Sequence, residues 1–165
     1  MNGNLLIIGA GGHGKVVAEV AEACGYENIA FLDDNSSDAI GKICDMASFR
    51  EQFSNAFVGI GNNQFRNETL KKLIEIGYQI PMLIHPTAYV SKSAVISEGT
   101  IVEPLAIVNA NSVIGTGCIV SVGSIVDHDA VLDTCVHVNA GAVVKAGAHV
   151  EENRKLEAGE VVLGY

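Results

Sequence analysis

Five histidines and four cysteines are the side chains of this 165-residue chain whose chemistry suits proton transfer or metal ligation. Cys24, Cys44, Cys118 and Cys135 contain no CxxC pair, and their spacing fits neither a zinc site nor a disulfide scaffold. They read as reduced, mostly buried thiols of a cytoplasmic protein. No three-histidine or His/Cys constellation points to a metal. His128 stands in VDHD between two aspartates, on an outward or corner position. Imidazole titrates near neutrality, so His128 is suited to take a proton at cytoplasmic pH. Asp129 is placed to orient the ring and stabilise the imidazolium, as the aspartate of a catalytic triad does. It also fits a carboxylate that merely faces solvent, since neighbours in an extended segment point apart. Asp127 is the less suited partner. His85, before Pro86, reads as structural, and His149 occupies a face with no evident partner.

The fifth histidine, His13, belongs to Gly9-Ala-Gly-Gly-His-Gly14. Leu5 to Ile8 form an apolar run before it, and KVVAEVAEACG follows with Val16, Val17, Val20, Ala21 and Cys24 at helical spacing and Gly25 as a stop. Strand, tight turn and helix open an α/β sheet of the kind whose ligands sit beyond the carboxyl ends of the strands and against a helix N-terminus. A second strand, Ile29 to Leu32, ends in Asp33-Asp34, where a ribose hydroxyl is held in dinucleotide folds. Two readings stand: a nucleotide or phosphate ligand, or a turn that needs left-handed dihedrals and ends in acids.

Asn55 to Ile60 make a third strand, followed by Gly61-Asn62-Asn63 and a helix from Arg66 to Gly77. Tyr78 to Ile84 read as another strand, at an edge or irregular because of Pro81. A unit of residues 1–82 is too short for a dinucleotide fold with two mononucleotide-binding halves, which argues against a dehydrogenase. The net charge of -9 argues against a nucleic-acid partner. With 48% hydrophobic and 18% charged residues the chain is an ordered globular protein. No apolar run has the length of a membrane span, and the N-terminus lacks a signal-peptide pattern.

From residue 88 a strict period of six takes over, from AYVSKS and AVISEG to RKLEAG and EVVLGY. The third residue of all thirteen units is aliphatic, from Val90 to Val162. The first is small until Arg154 and Glu160, which suits a position where the backbone bends. Three short strands close a triangular coil of 18 residues, and coils stack so that Val90, Val108, Val126, Val144 and Val162 form one column. Residues 83–165 therefore form a parallel β-helix. Arg154 and Glu160 suggest that its end is a loop or an improvised cap.

The hexapeptide rod resembles the left-handed β-helix acyltransferases. With GAGGHGKVVAEVAEACG, FLDD, VGIGNNQFR and LIHPTAYVS, the whole chain resembles the NeuD/PglD-type family of bacterial sugar acetyltransferases. The resemblance implies an α/β Rossmann-like subdomain that holds a nucleotide-linked or acidic sugar, followed by a left-handed rod that uses acetyl-CoA. It implies homotrimers with sites between subunits, no nucleic acid and no membrane insertion. The family's catalytic pair falls on His128 and Asp129. Residues of the acetyl-CoA region fall on His137 and Ala146. Sugar-side residues fall on Gly11, Gly12, His13, Gly14, Asp33, Asp34, Gly61 and Asn62. Half a coil separates His137 from His128, so the two would share a site most readily across two subunits.

The chain departs from the family pattern at Ser121, often asparagine, and at Ala146, where a glycine is expected. It ends at VVLGY, where members continue into further coils and a Gly-x-Pro-Ala-like segment. These departures concern donor binding more than sugar binding. Two functions are carried forward: an acetyltransferase acting on an amino or hydroxyl group of such a sugar, in polysaccharide or other glycan biosynthesis, and a non-catalytic sugar-nucleotide-binding or assembly subunit with a shortened rod.

Overall fold

The structure, a computed structural model, describes residues 2–165, which divide into two compact units meeting at Pro81 and Met82. The first is α/β. Strand β1 (Asn2–Ile8) is central to a parallel sheet of order β2-β1-β3, with β2 at Tyr26–Leu32 and β3 at Asn55–Val58. Because β1 is covered on both faces, its run Leu5, Leu6, Ile7, Ile8 is apolar throughout and fully buried. Helix α1 (Gly12–Ala23) crosses from β1 to β2. It buries Gly14, Val17, Val20 and Ala21, whereas Val16 of the expected apolar face is exposed. A 3₁₀ helix (Ile43–Phe49) lies between β2 and β3.

Helix α2 runs Asn63–Ile76, starting three residues before the Arg66 expected from sequence. The Asn62 side-chain Oδ1 caps its N-terminus by accepting from the Phe65 N–H at 2.9 Å, and Gly77 ends it at φ +95°. The expected strand from Tyr78 to Ile84 does not form as one element. Gln79 makes a single bridge to Asn55, and Leu83–Ile84 instead pairs with Ile101–Val102 in the second unit. Pro81 separates the two pieces. The six-residue pattern thus begins one unit earlier than residue 88, with MLIHPT and Ile84 in its third place.

The second unit is a left-handed parallel β-helix of three stacked sheets. One holds Leu83–Ile84, Ile101–Val102, Ile119–Val120 and His137–Val138. A second holds Tyr89–Val90, Ile107–Val108, Ile125–Val126, Val143–Val144 and Val161–Val162. The third holds Val95–Ile96, Val113–Ile114, Val131–Leu132 and His149–Val150. Registers such as Ile125↔Val143 step by the 18 residues of one coil.

Third-place aliphatics from Val102 to Leu156 are at most 1% exposed, while Val90, Ile96 and Val162 are only partly buried near the ends of the stack. Burying each is worth about 1.5–3 kcal/mol. The small first-place residues do more than ease a bend, because they too point inward. Ala106, Ser112, Cys118, Ser124 and Ala130 are fully buried, as a period of two along each strand requires. The polar ones are satisfied: Ser112 Oγ donates to the Asp127 carbonyl at 2.8 Å and Thr100 Oγ1 to that of Gly115 at 2.9 Å.

The sixth place of each unit turns the corner in the left-handed backbone region. From Gly99 to Gly159 every sixth residue has φ between +56° and +70°, Leu105, Asn111, Asp129, Cys135 and Asn153 among them. The rod does not dissolve after Asn153. Leu156 is fully buried, Lys155 bridges to His137, and Arg154 Nη2 donates to Glu160 Oε1 at 2.8 Å, so the first-place exceptions form an ion pair on a continuing coil. Of the cysteines, Cys118 and Cys135 are buried, Cys24 is partly buried and Cys44 is exposed, fewer buried than expected.

Candidate active site

In the α/β unit the sheet order reverses at β1, so the carboxyl ends of β1, β2 and β3 converge at a topological switch point. Backbone bonds tie these ends together: Gly9 N–H to the Leu32 carbonyl at 2.7 Å and Gly59 N–H to that of Ile8 at 2.8 Å. The glycines there divide into two kinds. A Cβ on Gly14 would sit 2.0 Å from the Gly9 carbonyl oxygen, and one on Gly59 would sit 2.7 Å from Gly14 Cα. These two let helix and strands approach. A Cβ on Gly11, Gly12 or Gly61 would meet nothing within 4 Å, and none of the three has a left-handed φ. Neither packing nor dihedral strain requires glycine at those three positions. What their bareness leaves is open space beside the N-terminus of α1 for Gly11 and Gly12 and beside that of α2 for Gly61, and a helix N-terminus with free space before it can accept an anion.

Asp33 and Asp34 are spent mainly on loop architecture. Asp33 Oδ2 accepts from the Ala10 N–H at 2.8 Å, and Oδ1 accepts from the N–H groups of Asn35 (2.8 Å) and Ser36 (2.9 Å). These bonds, that from Ala10 foremost, hold its carboxyl below the usual range. Asp34 Oδ1 accepts from the Ile43 N–H at 3.0 Å, and its carbonyl accepts from Lys42 Nζ. Asp33, Ser36, Ile40, Lys42 and Asp45 line a shallow depression of about 270 Å³. Asn62 is a helix cap, as described above.

His13 is half-buried in the first turn of α1, and burial, with the Arg66 charge second, pushes its pKa down to about 4. Its ring is therefore neutral at physiological pH. Arg66 is only 1% exposed, a burial that its place in an ordinary polar helix start does not signal in the sequence. Its Nη1 donates to the carbonyls of Ile60 (3.1 Å) and Gly61 (3.3 Å), and its Nη2 to Asn63 Oδ1 (2.9 Å).

In the rod, His128 and Asp129 occupy the corner after Ile125–Val126. His128 Nδ1 donates to Asp129 Oδ2 at 2.7 Å, each side chain being 45% exposed. Sequence neighbours meet because Asp129 takes φ +58° and the segment is not extended. The bond from Asp129 raises the His128 pKa, and the bonds from His128 and then Asn111 lower that of Asp129. A neutral His128 thus carries its proton on Nδ1 and offers the Nε2 lone pair outward. Asp127 serves the backbone, its Oδ1 accepting from the His128 N–H (2.8 Å) and Asn109 Nδ2 (3.0 Å).

His137 lies in a different sheet, its Nε2 3.1 Å from Ser121 Oγ. The Ala146 carbonyl accepts from the Tyr165 N–H at 3.3 Å. The remaining two histidines make local contacts. His85 Nδ1 accepts from the Thr87 N–H at 3.1 Å. His149, expected to lack a partner, has its Nε2 2.9 Å from Asp133 Oδ2. Among the described residues no cluster of three or more His, Cys, Asp or Glu could hold a metal, and no helix is long and apolar enough to cross a membrane.

Comparison with known proteins matches both units. The profile described as the PglD N-terminal domain matches residues 4–73. The acetyltransferase domain of PglB from Neisseria gonorrhoeae FA1090, solved in complex with acetyl coenzyme A, is 39% identical with a TM-score of 0.92, covering 98% of this chain and 82% of that one. A variant of perosamine N-acetyltransferase from Caulobacter crescentus, solved with CoA and GDP-perosamine, is 32% identical with a TM-score of 0.91, covering 99% of this chain and 90% of that one. The UDP-N-acetylbacillosamine N-acetyltransferase of Bacillus subtilis (strain 168) is 32% identical over 109 residues, 60% of this chain and 50% of the relative. The chain thus spans about half the length of the curated relative it matches. With a glycine-loop α/β unit, a six-residue rod and relatives of this identity over nearly its full length, the chain belongs to the NeuD/PglD-type family of sugar acetyltransferases.

Proposed function

We propose that this protein transfers an acetyl group from acetyl-CoA to the amino group of a nucleotide-linked sugar. The observation that carries the reading is the 2.7 Å bond between His128 Nδ1 and Asp129 Oδ2, which leaves Nε2 as a base facing outward on a rod of the acyltransferase kind. The thioester donor supplies an activated carbonyl and a thiolate leaving group. His128 Nε2 takes the proton the amine sheds as it attacks that carbonyl, and Asp129 keeps the ring in the required tautomer and stabilises the imidazolium. His137, beside Ser121, and Ala146 are assigned to the donor side. Gly11, Gly12, Gly61 and the first turn of α1 are assigned to the phosphates of the sugar nucleotide, with neutral His13 as a hydrogen-bonding partner.

Support for a nucleotide-linked acceptor comes from the perosamine relative, whose structure contains CoA and GDP-perosamine. The bare glycines support it too, since a free sugar offers no phosphates to such a loop. Residues 1–82 are proposed as the sugar-nucleotide domain and 83–165 as the acetyl-transfer domain of a cytoplasmic homotrimer. Calorimetric titration with acetyl-CoA, with free-CoA release measured on a panel of nucleotide-linked amino sugars, tests the reading. Saturable binding and thiol release that His128→Ala abolishes are expected. A nucleotide sugar bound without any acetyl-CoA binding would favour a non-catalytic binding subunit instead.

A further inference from the structure

The corner that carries Asp129 is one step of a vertical column of sixth-place residues, Ser93, Asn111, Asp129, Gly147 and Tyr165, each 18 residues from the next. The column is hydrogen-bonded along its length. Asn111 N–H donates to Ser93 Oγ at 3.1 Å, and Asn111 Nδ2 donates to Asp129 Oδ1 at 3.2 Å. Two coils beyond Asp129, the Tyr165 hydroxyl donates to Asp129 Oδ2 at 3.4 Å, and its ring meets the His128 ring edge-on at 6.4 Å between centroids.

Gly147 makes this reach possible. A Cβ there would lie 1.9 Å from the Tyr165 ring, so any other residue would close the notch through which the tyrosine passes down to the carboxylate. Both oxygens of Asp129 are thereby committed, one to Asn111 and the other to His128 and Tyr165.

Building on the acetyltransferase reading, we infer that Asn111, one coil before Asp129, and Tyr165, two coils beyond it, are positioning residues that clamp the Asp129 carboxylate so that it stays aimed at His128 Nδ1. The clamp matters because Asp129 and His128 are adjacent in sequence and each is 45% exposed, so packing alone does not fix either side chain. The ionisable groups acting on His128 are Asp129 and Asp127 from its own turn and Tyr165 from above. In an exposed corner water replaces a deleted donor, so removing Asn111 or Tyr165 leaves the carboxylate charge nearly unchanged and removes the geometric restraint.

The test uses Tyr165→Phe, which keeps the ring, Asn111→Gly, which suits the φ of +59° at that position, and the double variant. His128 is titrated by NMR in the full chain without substrate, and kcat and KM are measured alongside. The His128 titration is expected to move down toward the ordinary histidine value in the double variant, with kcat reduced about 3–10-fold and KM for both substrates nearly unchanged. An unchanged titration and kcat in the double variant overturn the proposal. An upward shift overturns it as well, because the two donors would then only weaken the acceptor. The substrate-free titration separates the two readings: a wild-type protein that releases no CoA defeats the acetyltransferase assignment while the clamp is still decided by the NMR shift.

Discussion

His128 and Asp129 are consecutive residues whose side chains meet at 2.7 Å, and they do so because Asp129 sits in the left-handed corner position of its coil at φ +58°. A non-glycine residue there costs about 1–2 kcal/mol. The corner therefore trades stability for a carboxylate aimed at an imidazole.

That trade is measurable. Asp129→Gly is expected to match or exceed the wild-type thermal stability, by up to about 1 kcal/mol, while lowering kcat strongly. Asp129→Asn keeps the size and loses the charge, and it too is expected to lower kcat. Thermal unfolding followed beside steady-state kinetics separates the two effects.

The pH dependence follows from the direction of the His128 shift. Its pKa is raised by Asp129, and the base must be neutral to act, so kcat/KM is expected to climb with pH through a value above that of an ordinary histidine. In Asp129→Asn the acid limb should move to lower pH. The contribution of His128 to stability has the opposite profile: while Asp129 is ionised it is fully present below the unfolded histidine pKa and fades as pH rises through the folded one. A profile whose acid limb ignores Asp129→Asn would remove Asp129 from the mechanism.

His13 behaves in the reverse sense. With a folded pKa of about 4, it favours the neutral form, so stability is whole above the unfolded value of 6.5 and declines as pH falls from 6.5 toward 4. The loss amounts to about 2–3 kcal/mol across that window. His13→Gln should flatten this part of a denaturation-versus-pH curve.

The two kinds of glycine give a fourth contrast. Gly14→Ala should cost about 1–3 kcal/mol or more, because its Cβ would sit 2.0 Å from the Gly9 carbonyl oxygen. Gly11→Ala and Gly61→Ala should leave stability within about 0.5 kcal/mol, because nothing of the protein occupies that space. Their effect is expected on sugar-nucleotide binding by calorimetry. Unimpaired binding in both would remove these glycines from the phosphate site.

Arg66 offers a fifth test. Its buried guanidinium holds the Ile60 and Gly61 carbonyls, and Arg66→Met strands those groups, with an expected loss of about 1–3 kcal/mol. Because Arg66 also helps depress His13, the His13 titration should move up in the same variant. An unmoved titration would show that burial alone sets it.

The architecture was largely legible in the residues. A period of six with an aliphatic third place leaves a chain few ways to bury itself other than stacked three-strand coils, and the GAGGHG turn between an apolar run and an amphipathic helix specifies the opening of an α/β sheet. The 18-residue coil even places Asn111, Asp129 and Tyr165 in one column. Three matters were decided only by tertiary structure. Which carboxylate meets His128 depended on the left-handed φ of Asp129 and the side-chain direction it sets, and a tolerance of aspartate for that region does not reveal either one. That the Asp33 carboxylate clasps its own loop depended on backbone N–H groups, such as that of Ala10, brought together by distant turns. The meaning of each glycine depended on what surrounds its Cα, which is backbone for Gly14 and open space for Gly11. Periodicity is a local property and survives in one dimension, whereas hydrogen-bond partners and free volume arise only when segments far apart in the chain are packed side by side.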